Sequence, residues 1–171
     1  MSIRLGILGI GSMGRHHVRN ARATQGVDLV ALADPGGDRF GVAGDLPVLG
    51  GVEELIEAGI DAAIIAAPTA HHEAAALALA EAGVHTLVEK PLATSVEAGT
   101  RIRDAFAAAG LVGAVGYVER CNPALIDMRR RISEGQLGEI EQIATRRQSP
   151  FPARISDVGV VKDLATHDVD L

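Results

Sequence analysis

The 171-residue chain has few of the residues on which several kinds of binding site depend. It has no tryptophan, one tyrosine and three phenylalanines, so an aromatic cage or a base-stacking platform is not expected. Cys121 is its single cysteine, which excludes an internal disulfide and fits a reducing compartment. A signal-peptide pattern and an apolar run of about 18 residues are both missing from the sequence. We therefore expect a cytoplasmic protein that does not bind a membrane.

Charge and histidine spacing exclude two further classes of partner. The formal net charge is −6 and no long basic run occurs, so nucleic acid is not expected as a partner. Four of the six histidines stand in two adjacent pairs, His16–His17 and His71–His72. No cysteine or carboxylate completes a metal-ligand spacing around either pair, and we expect no metal site.

Short apolar runs alternate with helical stretches along the first two thirds of the chain. Strands are predicted at Ile3–Gly9, Leu29–Ala33, Ala62–Ala66, His85–Val88 and Gly113–Val118. Helices are predicted at Met13–Ala23, Val52–Ala58, His71–Ala82, Val96–Ala109 and from Asn122 to about Ser133. Continuously apolar strands are typical of a parallel sheet with helices on both faces. The sequence therefore predicts an α/β fold with a doubly wound parallel sheet, the Rossmann arrangement.

Capping residues and breaks set the expected boundaries. Thr69 is predicted to cap the third helix, and Thr94 with Glu97 forms a capping box for the fourth. Residues 35–51 hold six glycines and two prolines, which predicts a loop with at most one helical turn. The segment Ile140–Arg147 is predicted to be a strand.

Helical spacing runs from residue 160 to Leu171, where the sequence stops within the pattern. We therefore expect the chain to be the N-terminal part of a longer protein. The predicted domains are residues 1–120 and the start of a second α/β or α+β domain over residues 121–171.

The first strand is followed by a glycine motif that predicts a dinucleotide site. Gly9, Gly11 and Gly14 form G-x-G-x-x-G between a strand and a helix, the context in which this motif binds a pyrophosphate. Backbone amides of the intervening residues Ser12 and Met13 would face the phosphates. The alternative is a plain glycine turn.

Asp34 ends the second predicted strand, 20 residues after Gly14. Its carboxylate suits the ribose hydroxyls, and it would repel a 2′-phosphate by about 4 kcal/mol at contact in an intermediate dielectric. NAD is therefore expected as cofactor, with NADP disfavoured. A solvated aspartate is the alternative.

Polar residues follow the third and fourth predicted strands. Ligands of such sheets bind beyond the carboxyl ends of the strands, so these residues are further candidates for cofactor contact: Pro68, Thr69, His72, Glu89 and Lys90. Pro91 lacks an amide N–H and ends the strand, which would hold Lys90 at the rim near the nicotinamide. Its ammonium could orient a substrate hydroxyl or share its proton, although an ordinary exposed lysine beside a turn fits as well.

A second polar group stands near the end of the chain. Asp163 and His167 are four residues apart and would share one face of a helix. A histidine suits the removal of a hydroxyl proton while hydride leaves the same carbon, and Asp163 would orient the substrate. A surface acid–histidine pair fits the same spacing.

These segments resemble the glucose–fructose oxidoreductase / inositol dehydrogenase / rhizopine-catabolism (Gfo/Idh/MocA) family. The matching pieces, in the family's order, are GILGIGSMG, ALADP, AAPTAHH, VEKP, GYVERCNP and DLATHDVDL. The resemblance implies NAD(P)-dependent oxidation or reduction of a sugar, nucleotide sugar or cyclitol, by a homo-oligomer when full length. It implies that residues 1–120 bind NAD(P) and that the domain starting at residue 121 serves substrate binding and oligomerisation. It also implies Lys90, Asp163 and His167 as the catalytic group, with His167 as acid/base and Lys90 as the hydroxyl-orienting or relay residue. The Lys–Pro bond at this position is often cis in the family, which leads us to expect a cis bond before Pro91.

Two other functions are compatible with the same resemblance. Some relatives are NAD-dependent glycosidases that use a transient oxidation to promote elimination, and others are non-catalytic dinucleotide sensors. The 171-residue chain on its own is also compatible with NAD binding without turnover, because positioning a polyol requires the second domain.

Overall fold

The computed structural model describes residues 2–146 and 165–170, and a six-stranded, wholly parallel sheet is its centre. The strands are β1 Ile3–Leu8, β2 Val27–Ala33, β3 Val48–Leu49, β4 Ala62–Ile65, β5 His85–Val88 and β6 Gly113–Val115. Their order in the sheet is β3-β2-β1-β4-β5-β6. This order reverses between β1 and β4, where a doubly wound sheet binds its ligand.

Six α-helices are described. They are α1 Gly14–Ala23, α2 Val52–Glu57, α3 His72–Glu81, α4 Val96–Ala108, α5 Pro123–Ser133 and α6 Thr166–Asp170. Single 3₁₀ turns lie at Thr69–His71 and Val118–Cys121. None of the helices in the described ranges is long and apolar enough to cross a membrane.

Two apolar cores lie on opposite faces of the sheet. Consecutive residues of a strand point to opposite faces, and Ile7 and Leu8 of β1 accordingly belong to different cores. On the Ile7 face the core includes Val18 and Ala21 of α1. On the Leu8 face it includes residues of α2, α3 and α4, such as Leu55, Leu79 and Phe106. Helices on both faces confirm the predicted doubly wound α/β fold.

The chain divides into two compact units, Met1–Gly116 and Tyr117–Leu171. The first contains the whole sheet and the helices α1 to α4, and the second contains α5 and α6. The predicted domains, 1–120 and 121–171, stay a prediction.

The structure differs from the sequence predictions in the segment after β2 and at the start of α4. Val48–Leu49 forms a two-residue strand beside β2 inside the segment predicted as a loop, because Leu32 donates to the Pro47 carbonyl and Asp34 to that of Leu49. The fourth helix is capped by Ser95, whose hydroxyl accepts from the Ala98 amide, and not by Thr94. Its φ of −142° and ψ of 165° give Ser95 the extended backbone that an N-cap requires.

The strand predicted at Ile140–Arg147 does not form over its described part, residues 140–146. An extended segment becomes a strand only when a neighbour pairs with its backbone, and no described strand pairs with this one. Most of the segment is exposed, including Ile143, so burial does not compensate.

Candidate functional site

The predicted cofactor residues lie at the carboxyl ends of four neighbouring strands. Gly9 follows β1, Asp34 follows β2, Pro68 lies three residues beyond β4, and Glu89 follows β5. Because all the strands are parallel, these ends share one edge of the sheet. The fold thus brings together residues that are up to 80 positions apart in sequence.

The three motif glycines meet different surroundings. Gly9 has a φ of +85°, and a Cβ there would lie 2.6 Å from the Ala67 nitrogen, so the turn packs directly on the chain after β4. A Cβ at Gly14 would overlap the carbonyl oxygen of Gly9, which shows how closely α1 approaches the turn. A Cβ at Gly11 would meet nothing within 4 Å. The open position is the one that a pyrophosphate approaches in such motifs.

The first turn of α1 completes this phosphate cradle. No side chain caps the helix at Met13, and the neighbouring Ser12 is exposed. Uncapped amides at a helix N-terminus bind anions through their N–H groups and the helix dipole. The residues present therefore fit a dinucleotide diphosphate.

Asp34 joins the glycine turn to the loop after β2. Its Oδ2 accepts from the Ile10 amide at 3.0 Å, and its Oδ1 accepts from the Gly36 amide at 2.8 Å. Asp34 is half-buried, and its carboxylate is fixed at the carboxyl edge of the sheet, where it can accept hydrogen bonds from ribose hydroxyls. Further along the loop, hydrogen bonds from the Ala43 and Val42 amides hold the pKa of Asp38 below its usual value.

The residues after β4 differ in exposure. Pro68 is exposed, Thr69 is buried, and His72 has no exposed surface. The His72 Nε2 lies 2.8 Å from the Ala67 carbonyl oxygen, and its Nδ1 lies 3.1 Å from that of Pro91. In this structure His72 joins two loops, so any contact with a cofactor requires the side chain to be uncovered. The predicted Thr69-capped helix starts instead as a 3₁₀ turn at Thr69 and becomes α-helical at His72.

Glu89 is buried at the end of β5. Its Oε1 lies 2.7 Å from the Nε2 of His17, and its Oε2 accepts from the Lys90 amide at 3.1 Å. Behind it, a Cβ on Gly116 would lie 3.0 Å from the Glu89 carboxyl carbon, so the carboxylate fills the space that the glycine leaves. Lys90 is half-buried and is joined to Pro91 by a cis peptide bond, as the resemblance implied.

In the second unit, His167 lies on the short helix α6. The helix is held by Asp170, whose carboxylate accepts from the Nε of Arg120 at 2.7 Å and from its Nη2 at 2.5 Å. This hydrogen-bonded pair lowers the pKa of Asp170 and raises that of Arg120. Asp163 lies outside the described residues. That Lys90, Asp163 and His167 form one catalytic group stays a prediction.

Two features of the site were missed in the sequence. His17 lies on the buried face of α1 with Gly14, Val18 and Ala21, at the spacing i, i+3, i+4, i+7 that marks a packed helix face. This spacing could have indicated a buried role, but not its partner 72 positions away. Arg15, also on α1, places its guanidinium 4.7 Å from the centre of the Phe40 ring.

No group of three or more histidine, cysteine, aspartate or glutamate side chains within residues 2–146 and 165–170 is arranged to hold a metal ion. One member of each adjacent histidine pair has another partner, since His17 lies 2.7 Å from the Glu89 carboxylate and His72 lies within 3.1 Å of two carbonyl oxygens.

Comparison with known proteins agrees with this geometry. The family model described as "Oxidoreductase family, NAD-binding Rossmann fold" matches residues 3–117. Scyllo-inositol 2-dehydrogenase (NAD(+)) of Bacillus subtilis is 33% identical over 179 residues, covering 99% of this chain and 52% of the relative. UDP-N-acetylglucosamine 3-dehydrogenase of Acidithiobacillus ferrooxidans is 32% identical, covering 99% of this chain and 53% of the relative.

Solved structures give the same result. The crystal form P21 of the Acidithiobacillus ferrooxidans enzyme superposes with a TM-score of 0.83 at 30% identity, over 99% of this chain and 55% of that one. The WlbA dehydrogenase of Bordetella pertussis, solved with NADH and UDP-GlcNAcA, superposes with a TM-score of 0.74 at 27% identity, over 80% and 41% of the two chains. The chain thus spans about half the length of the relatives that it matches. From its match over residues 3–117 and its identity to these dehydrogenases, the chain belongs to the Gfo/Idh/MocA oxidoreductase family and has that family's NAD-binding Rossmann fold.

Proposed function

We propose that the chain is the nucleotide-binding part of an NAD-dependent dehydrogenase that acts on a hydroxyl carbon of a sugar, nucleotide sugar or cyclitol. The observation that carries the proposal is the open space at Gly11 beside the uncapped start of α1, with the Asp34 carboxylate fixed at the adjoining strand end. The names of the relatives support the substrate class, since they include an inositol and a UDP-sugar dehydrogenase.

The backbone amides of the glycine turn bind the diphosphate, and the Asp34 carboxylate accepts hydrogen bonds from the ribose hydroxyls. When bound, NAD supplies a nicotinamide that accepts a hydride from the substrate carbon. His167 takes the hydroxyl proton as that carbon becomes a carbonyl, so the carbon loses one proton and two electrons in the form of the hydride and the imidazole gains the hydroxyl proton. Lys90 orients the hydroxyl and relays its proton, and Asp163 holds the substrate beside them.

Three finer features belong to the same proposal. The chain works in the cytoplasm, which its single cysteine suits. Its partner is a small polyol or sugar, not nucleic acid, in keeping with the net charge of −6. The longer protein is a homo-oligomer, as the family resemblance implies.

Calorimetry on the chain with NAD and NADP tests cofactor binding. NAD is expected to bind, and NADP to bind at least tenfold more weakly, because its 2′-phosphate meets Asp34. Substituting Asp34→Ser should narrow this difference. Failure of the chain to bind NAD would refute the proposal.

Absorbance of reduced nicotinamide, with inositols and UDP-sugars as substrates, tests the chemistry on the chain and on the longer protein that we expect to contain it. In a protein that turns over, Lys90→Ala and His167→Ala should each lower the rate about a hundredfold or more, with NAD affinity changed less than about threefold. Release of sugar without net reduction of NAD would instead indicate a glycosidase, and NAD binding without turnover by the longer protein a sensor.

A further inference from the structure

In both adjacent histidine pairs, one histidine forms side-chain hydrogen bonds to described residues and its neighbour does not. The second member of each pair, His17 and His72, bonds to the segment Glu89–Pro91, which we call the Glu89–Pro91 turn. For the first members, His16 and His71, no side-chain hydrogen bond occurs within the described ranges. The chain therefore carries, next to each bonded histidine, a natural control.

His17 reaches the turn from the Ile7 face of the sheet, where α1 packs. Its Nε2 lies 2.7 Å from Oε1 of Glu89, and the side chains are only 17% and 7% exposed. In such a dry site a hydrogen bond to a carboxylate is stronger than one between neutral groups in water. The other oxygen of Glu89 receives the Lys90 amide, so the bond from His17 fixes the same carboxylate that orients the Lys90 backbone.

His72 reaches the turn from the opposite face, where α3 packs in the Leu8 core. Its ring bridges the carbonyl oxygens of Pro91 and Ala67. Carbonyl oxygens only accept, so whichever ring nitrogen carries a proton donates to the carbonyl that it faces. A proton on Nδ1 is donated to Pro91 and ties the end of the turn to α3, whereas a proton on Nε2 is donated to Ala67 and ties α3 to the loop after β4.

We propose that His17 and His72 are positioning residues that hold the Glu89–Pro91 turn from the two faces of the sheet and so fix the backbone from which Lys90 projects. Their importance for catalysis rests on the proposed function of Lys90. Their role in fixing the Glu89–Pro91 turn does not depend on that function. Gly116 supports this role, because a Cβ there would lie 3.0 Å from the Glu89 carboxyl carbon, and the glycine therefore leaves the carboxylate the space it occupies beside His17.

The first test uses the unaltered chain. Ring N–H protons exchange with water too fast to be observed unless they are bonded and buried. In a proton spectrum of ¹⁵N-histidine-labelled chain at neutral pH, His17 and His72 are expected to show ring N–H signals, and His16 and His71 are not. Each signal is assigned by its loss in the corresponding His→Gln variant. Absence of the His17 and His72 signals would overturn the proposal.

The second test measures the turn itself. The chain has only two lysines, Lys90 and Lys162, so ¹⁵N-lysine labelling gives two amide signals, assigned with Lys90→Arg. Removing one hydrogen bond from the turn should speed hydrogen exchange of the Lys90 amide about tenfold in His17→Ala and in His72→Ala. His16→Ala and His71→Ala should change it less than about twofold.

A role in general stability alone would speed exchange in the core as well, so the Ile7 amide in uniformly labelled chain is the reference. The expected change is confined to the turn, and His17→Gln, which restores an N–H donor toward Glu89, should recover most of the protection. Equal changes at Lys90 and Ile7, or no change at Lys90, would overturn the proposal. If the buried His72→Ala variant does not fold, His17→Ala and His72→Gln still decide the outcome.

In a protein that turns over, His17→Ala should lower kcat about tenfold while the Kd for NAD stays within about threefold. This result would connect the hold on the turn to catalysis. The hydrogen-exchange measurements need neither NAD nor turnover. If the proposed function is wrong, they still test whether His17 and His72 fix the turn, and the failure of the function shows in the NAD-binding and absorbance experiments.

Discussion

At the scale of single residues, the site depends on where side chains are absent as much as on where they are present. Gly14 is required by the packing of α1 on the turn, since any Cβ would overlap the Gly9 carbonyl oxygen. Gly11 is not required by packing, because a Cβ there would meet nothing. Gly14 is therefore needed for the fold, whereas Gly11 leaves space for a ligand.

This difference gives a paired prediction. Gly14→Ala should lower the free energy of unfolding by about 3 kcal/mol, because backbone must move to accept the methyl group. Gly11→Val should change stability by less than about 1 kcal/mol but weaken NAD binding at least tenfold, because its side chain occupies the approach of the pyrophosphate. Urea denaturation and calorimetry measure the two quantities. Equal loss of NAD binding in a folded Gly14→Ala and in Gly11→Val would contradict the assignment.

Residues of the site were predictable where the signal is local. The glycine spacing and the Glu-Lys-Pro stop of a strand can be recognised within a few positions, and the structure places both at the strand ends. The partner of Glu89 could not be predicted this way, because its bond to His17 spans 72 positions and depends on the packing of α1 against the sheet. The contact of His72 with the Pro91 carbonyl, 19 positions away, was likewise not predictable from local spacing.

At the scale of helices and strands, capping shows how far sequence reasoning reaches. Asn122, at which the fifth helix is predicted to begin, caps α5, with its Oδ1 accepting from the Ala124 amide at 3.1 Å, and Pro123 occupies the first turn. For α4 two adjacent residues, Thr94 and Ser95, are both good caps, and only backbone conformation decides between them. The strand predicted after Gly138 failed for a related reason, since a strand requires a partner that its own sequence does not reveal.

The choice of cap is open to measurement. Ser95→Ala should lower the free energy of unfolding by about 1 kcal/mol, because the Ala98 amide loses its side-chain acceptor. Thr94→Ala is the matched control and should change it by less than about 0.5 kcal/mol, since Thr94 is exposed and precedes the cap. Both values come from urea denaturation followed by circular dichroism. A larger effect at Thr94 would restore the capping box predicted from the sequence.

At the scale of the whole molecule, the predicted cofactor residues all belong to the first unit, and His167 belongs to the second. A parallel sheet with helices on both faces follows from the alternation of apolar strands and helices, which is why the fold class was predictable from periodicity; the strand order was observed and not predicted. The contribution of the second unit to the site was not predictable, because its described residues have few buried apolar side chains to indicate how they pack.

Cofactor binding should therefore protect one unit selectively. At a concentration of NAD a hundred times its Kd, the chain should gain about 2.7 kcal/mol of stability. Hydrogen exchange should slow at the glycine turn, residues 9–14, and stay unchanged in α5. Nicotinamide mononucleotide, which lacks the adenosine half and one phosphate, serves as the control and should protect the turn less. Equal slowing in α5 would show that NAD contacts or orders the second unit as well.

The outermost strands of the sheet are its shortest, with two residues in β3 and three in β6. An incoming chain can extend a sheet only by pairing with the free backbone groups along an edge, and such short edges offer very few of them. The same brevity that made β3 easy to overlook thus makes this fold a poor template for strand addition and helps a protein with a continuously apolar sheet to resist aggregation.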